Sequence, residues 1–268
     1  VALASGASGV VPPSGAVAVA RGSDGCTITL PATSCALTPT ATGTVDIVAS
    51  YGGDGNFLPS TASPFAHTAT ALVQNITFDA IANQTLGNPP VALSATGGAS
   101  GNPVVFASST PLVCTLSGSM VTLVGAGMCT LTADQAGNAT YAPATQAVQS
   151  FSVGKASATL VLSSSVNPST PGQSVTFTLA ASGAAGTPAG TVTFSDGGAP
   201  LCSNVALDAG GSASCTTSTL GSGTHAIAAD YSGDAKYLPG TATLAQIIST
   251  VGPPAAYAIA DVDYPAAS

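Results

Sequence analysis

KASATLVLSSSVNPSTPGQSVTFTLAAS (155–182), TPAGTVTFSDGGAPLCSNVAL (187–207) and GGSASCTTSTLGSGTHAIAADYSGDAKYLPGTATLAQ (210–246) follow one another in the last third of the chain. Val175, Phe177 and Leu179, and again Val192 and Phe194, alternate with small polar residues. In an extended segment that spacing turns the apolar side chains to one face. Gly, Pro, Asn and Asp interrupt the pattern at intervals of roughly 8 to 12 residues, the rhythm of short strands in a two-sheet sandwich. An all-β fold is expected.

Working outward, the first third repeats the second half of this pattern. SGAVAVARGSDGCTITLPATSCALTPTATGTVDIVASYGGDGNFLPSTAS (14–63) aligns with the stretch from Ala189 onward, so that Tyr51, Gly53, Asp54, Phe57, Leu58 and Pro59 match Tyr231, Gly233, Asp234, Tyr237, Leu238 and Pro239. Between them, ITFDAIANQTLGNPPVALSAT (76–96) and PVVFASSTPLVCTLSGSMVTLVGAGMCTLTADQAGNATYAPA (103–144) form a related unit, in which Asn138 and Tyr141 echo the SGDA-Y turn. The order PGQSVTFT, GTVTF-DG, a Thr-rich strand before GTH, and Y-SGDA-Y resembles the bacterial Ig-like repeat family, whose tandem modules build surface and extracellular proteins. That resemblance implies three immunoglobulin-like β-sandwiches: an incomplete one at 1–72, one at 73–154 and a complete one at 155–250, with a tail at 251–268.

Only 5% of the residues are charged, yet 45% are apolar and the mean hydropathy is +0.46, which favours packed cores over disorder. Three cations (Arg21, Lys155, Lys236) against eleven Asp leave no basic surface for nucleic acid or anionic lipid. No run reaches the ~18 to 20 apolar residues of a membrane-spanning helix, so membrane insertion is not expected. Val1 onward lacks the basic, apolar, small-residue order of a signal peptide, so an exported chain is expected here in its mature form.

Cysteines fall as one close pair per third: Cys26 and Cys35, Cys114 and Cys129, Cys202 and Cys215. Fifteen connectivities are formally open, but pairing inside each third needs no contact between modules and suits a hairpin or neighbouring strands. Such bridges imply an oxidising compartment outside the cytosol, and each closes a short loop worth roughly 3 kcal/mol in the chain-entropy model. Isolated twos of cysteine, with His67 and His225 far from other ligands, do not fit zinc. No G-x-S-x-G elbow, P-loop or glutamate pair appears; no catalysis and no cofactor are expected, and both histidines read as surface or satisfied strand residues. Asp54 and Asp234 read as turn-stabilising residues rather than calcium ligands, one carboxylate per turn being too few. Tyr51 and Tyr231 read as corner tyrosines. The sequons at Asn75, Asn83 and Asn138 are of the kind a Thr-rich chain produces by chance.

Aligning Gly15 with Gly190, and Leu3 with Leu179 through a one-residue gap, makes Val1 the counterpart of Phe177, so nothing in the given sequence matches residues 155–176 in the first module. That leaves an acceptor groove lined by Val1, Leu3, Val17 and Val19, with an open strand edge. The tail GPPAAYAIADVDYPAAS (252–268) holds an orphan strand-like run whose PAAS would lead into Val1 of another copy. Placing Pro265 on Pro168 turns Tyr257 and Ile259 inward; the apolar set Ala258, Ala260, Val262 and Tyr264 favours the opposite face, with Asp261 and Asp263 outward. The expected function is an extracellular structural subunit whose tail completes the next copy head to tail by donor-strand complementation, giving a filament or sheath. The alternative is a fragment or stalk of a cell-surface adhesin, with a host or matrix surface as partner. A carbohydrate-binding module is poorly supported without Trp.

Overall fold

Period-two alternation becomes strands throughout the computed structural model, which describes residues 11–250 and has no helix among them. In the N-terminal region, β1 (Ala16–Arg21), β2 (Asp24–Thr29), β3 (Gly43–Tyr51), β4 (Ser60–Thr61) and β5 (Phe65–Ala69) make one sheet, ordered β2-β1-β3 with β4 and β5 both on β3. Val17 pairs with Tyr51 and Val19 with Ala49, while Val45 pairs with His67. Directly paired residues share a face, so Val17, Val19, Arg21, Val45, Ile47, Ala49, Tyr51 and His67 all line the inner one. Val17, Ile28, Ala49 and Tyr51 form its buried cluster, with Val19, Leu30, Cys35 and Phe57 packed partly buried against it.

The middle region contributes β6 (Thr77–Phe78), β7 (Gln84–Thr85), β8 (Val91–Ala92), β9 (Ala95–Thr96), β10 (Val104–Ser108), β11 (Cys114–Ser117), β12 (Met120–Leu123), β13 (Gly127–Gln135) and β14 (Ala147–Gly154). They form a sheet ordered β10-β13-β14-β7, a second ordered β11-β12-β8, and the pair β6-β9. Cys114, Val121, Cys129, Leu131, Ala133, Phe151 and Val153 are buried between them.

The C-terminal region is a two-sheet sandwich. Its strands β15 (Thr159–Ser164), β16 (Val175–Ser182) and β19 (Ser212–Thr217) form one layer, and β17 (Thr191–Asp196), β18 (Ala199–Ala206), β20 (Gly223–Tyr231) and β21 (Gly240–Ile248) the other, ordered β18-β17-β20-β21. Val175, Phe177 and Leu179 from the first layer meet Val192, Phe194, Ile227 and Tyr231 from the second, all essentially without solvent exposure. At about 1.5–3 kcal/mol for each large side chain fully buried, this core outweighs the four-residue cluster of the N-terminal region. The N-terminal sheet repeats only the second layer: β1, β2, β3 and β5 stand where β17, β18, β20 and β21 stand, with β1–β3 in the register of β17–β20, whereas the β17–β18 pairing carries register shifts that β1–β2 lacks. No counterpart of the first layer occurs among the described residues of that region.

Disulfides join Cys26–Cys35, Cys114–Cys129 and Cys202–Cys215. The last two differ from a hairpin arrangement: each links strands of two different sheets, β11 to β13 and β18 to β19, so they clamp layers rather than neighbours. By backbone proximity the described residues divide into two units, one grouping 11–79 with Ser94–Phe106 and Thr132–Val148, the other grouping Ala80–Leu93, Ala107–Leu131 and 149–250.

Candidate assembly site

One turn recurs in all three regions. Asp54 Oδ1 accepts from the N–H groups of Asn56 and Phe57, Asn138 Oδ1 from those of Thr140 and Tyr141, and Asp234 Oδ1 from those of Lys236 and Tyr237, at 2.7–2.9 Å. The second oxygen of Asp54 accepts from Ser14 N–H and Oγ, and that of Asp234 from Ala189 N–H. These carboxylates are engaged by the chain's own donors, as an Asx turn requires. The Ser14 and Asn56 amides hold Asp54 below the usual carboxylate range. Burial raises Asp234, but the amides of Ala189, Lys236 and Tyr237 outweigh it and leave it lowered. Tyr51 donates to Ser14 O and Tyr231 to Ala189 O, tying the entry of β1 and of β17 to the turn; burial, then Asp234, pushes Tyr231 up to about 12. In the middle region this place belongs to Gln135, whose amide bonds Gly98 and Asn102. Sequence reading missed it, although Gln135 precedes Asn138 by the same three residues that separate Tyr51 from Asp54.

The inner face becomes polar at one end. In the C-terminal region His225 sits opposite Gln246. Gln246, fully buried, donates to Val166 O and Ser169 Oγ and accepts from Ser164 Oγ, fastening the end of β15 in one layer to β21 in the other. His225 places Nδ1 2.6 Å from Asp196 Oδ2 and Nε2 2.7 Å from Gly221 O. Two acceptors call for two N–H donors, so the Gly221 carbonyl first and Asp196 second raise its pKa. In the N-terminal region the same positions hold Arg21 for Asp196, Val45 for His225 and His67 for Gln246. Arg21, 2% exposed, donates to Ala41 O and Gly43 O and stands 3.6 Å from Asp24. Arg21 Nε and His67 Nδ1 are buried with no hydrogen-bond partner among the described residues.

The sheet edge differs in the same way. Leu72 bridges to the Tyr141 turn through Leu72 N–H to Thr140 O and Ala142 N–H to Leu72 O. Ala156 bridges identically to the Tyr237 turn through Lys236 O and Leu238 N–H, and Ser169 bridges to Ile248. The equivalent groups in the N-terminal region are Asn56 O and Leu58 N–H, and no bridge to them is present among the described residues; Leu58 is 88% exposed.

Of the residues expected to line an acceptor, Val17 is buried and Val19 half-buried on the inner face of β1. Val1, Leu3 and the donor residues Tyr257, Ala258, Ile259, Ala260, Val262 and Tyr264 lie outside the described residues. Among the described residues no group of three or more His, Cys, Asp or Glu side chains gathers to hold a metal, and no helix is long and apolar enough to cross a membrane.

Residues 162–251 match the family model of the bacterial Ig-like domain (group 3). This segment is similar to the bacterial Ig-like domain. Its match spans β16 to β21, and the N-terminal sheet carries the same strand order as the second layer of this segment, with the β1–β3 register of β17–β20. No curated protein matches the chain. Among solved structures it is similar to the adhesin InvE of Yersinia pseudotuberculosis (16% identity, TM-score 0.32, 65% of this chain and 58% of that one). It is also similar to the Escherichia coli adhesin FdeC (16%, 0.29, 80% and 76%) and to domains 4–9 of the surface layer protein SbsC (12%, 0.30, 88% and 30%). The chain thus spans 58% of the InvE structure's length.

Proposed function

We propose that the chain is a non-catalytic structural protein of the bacterial exterior. It is a row of three Ig-like modules (1–72, 73–154 and 155–250) that polymerises head to tail when residues 256–264 of one copy complete the first module of the next. The observation that carries this reading is the inner face of the N-terminal sheet. It has the strand order of one sandwich layer, no opposing layer among the described residues, and an unpartnered His67 Nδ1 where Gln246 of the C-terminal sandwich is fastened to the first strand. Three disulfides support an oxidising compartment. A heterologous, non-closing contact propagates into a filament or sheath.

The test is light scattering with electron microscopy on the oxidised protein over a concentration series, beside a variant lacking 256–264. Mass that grows with concentration, ending in fibres only when the tail is present, is the expected result; equal assembly without the tail sinks the reading. A second reading, a stalk that holds a surface adhesin's binding site away from the cell, draws support from the module junctions. The residues that enter the middle and C-terminal regions, Leu72 and Ala156, are themselves bridged into the following turn, and Lys155 Nζ donates to Asp234 O. A stalk predicts one mass at every concentration.

A further inference from the structure

We infer that the donor tail enters the N-terminal module with Tyr257, Ile259 and Asp261 on its buried face, and that the Asp261 carboxylate is received by His67 and Arg21. This rests on the donor-strand reading above and deepens it by fixing which face of the tail is inward.

In the C-terminal sandwich Leu160, Leu162 and Ser164 face the core, paired with Ala181, Leu179 and Phe177. With Pro265 placed on Pro168, the tail residues at those three positions are Tyr257, Ile259 and Asp261. Taken alone, a carboxylate at a buried position argues for the opposite face, since an unpaired buried charge is strongly unfavourable. The acceptor reverses that argument. Ser164 Oγ donates to Gln246 Oε1 at 2.7 Å, and the residue standing at the Gln246 position in the N-terminal region is His67, whose buried Nδ1 lacks a partner. On the same face and toward the same end, Arg21 keeps a buried, unpartnered Nε–H. A hydroxyl facing an amide in one module is replaced by an acid facing an imidazole and a guanidinium in the other. Such charge-assisted bonds are the stronger kind. Residues 251–268 carry Asp261 and Asp263 and no cation, and Asp261 is assigned to the Arg21 Nε side of a guanidinium whose Nη1 already faces Asp24.

Backbone groups follow the same register. Pro253 falls at the Ala156 position, where its carbonyl serves Leu58 N–H; lacking an N–H it leaves Asn56 O to water, which the exposed turn permits. Ala266 falls at the Ser169 position, beside Thr68 and Thr70 at the open edge of β5.

The experiment mixes full-length oxidised His67→Cys copies with copies carrying either Asp261→Cys or Val262→Cys. All native cysteines being paired, any new intermolecular disulfide reports on these positions. Cross-linked dimers with Asp261→Cys, and at least about tenfold fewer with Val262→Cys, are the expected result, because neighbouring strand residues point to opposite faces. Cross-linking through Val262 instead overturns the inference and leaves donor-strand exchange standing. No cross-link from either pair while the unsubstituted chain polymerises likewise overturns it; no cross-link with an unsubstituted chain that stays monomeric overturns both. Asp261→Asn supplies a second reading that leaves the acceptor untouched. The concentration needed for assembly should rise about tenfold or more, as for loss of a hydrogen bond to a charged group, and an unchanged threshold contradicts the inference.

Discussion

Asp54 and Asp234 show how a single carboxylate organises the entry and exit of a sandwich layer, and their lowered pKa values give a signed expectation. A carboxylate whose folded pKa is depressed contributes stability above its unfolded value, near 3.9, and loses that contribution as pH falls through the folded value. Thermal melts should therefore show the N-terminal region weakening as pH drops below about 4. Asp54→Asn should keep the turn, as Asn138 does in the middle region, while flattening that acid dependence. His225 runs the other way. Its folded pKa is raised by the Gly221 carbonyl and then by Asp196, so its contribution is fully present below about pH 6.5. It fades as pH rises through the folded value, and His225→Gln should abolish that part of the melting profile. These side chains were only half legible. Asx turns and corner tyrosines announce themselves by residue type and spacing. Gln135, Gln246, Arg21 and His67, in contrast, are polar residues at inward positions, and a polar residue reads as surface until register places it.

Strand alternation was the most legible feature at the element scale, because Val175, Phe177, Leu179, Val192 and Phe194 all fall on the buried phase. Phe194→Ala should cost about 3–5 kcal/mol in chemical denaturation of the C-terminal region. Val19, at the same register position in the N-terminal sheet, is only half-buried, so Val19→Ala in the unassembled protein should cost roughly 1 kcal/mol. Gly190 sits at φ +101° with the position of an added Cβ 2.6 Å from Gly233 O. Gly190→Ala should loosen the Tyr231 corner and lower the melting temperature of that region. What spacing could not reveal was the path of the disulfides: the 13-residue separation of Cys202 and Cys215 fits a hairpin as well as the layer-to-layer clamp that forms.

For the whole molecule, the all-β class and the matching halves of the first and last regions were readable because the same motifs recur in the same order. The pairing edges were not, since hydrogen bonds along an edge leave no mark on residue type: Leu58 and Leu238 look alike in sequence, yet among the described residues Leu238 N–H is bridged, by Ala156 O, and Leu58 N–H is not. That difference makes amide hydrogen exchange of the oxidised full-length protein the most direct test of strand donation, comparing dilute chains with concentrated ones. The account predicts that Leu58 and Thr70 exchange freely in dilute protein and become protected in step with the growth in mass. Mass growth with both amides still exchanging freely would contradict it, as would protection of both in the dilute monomer.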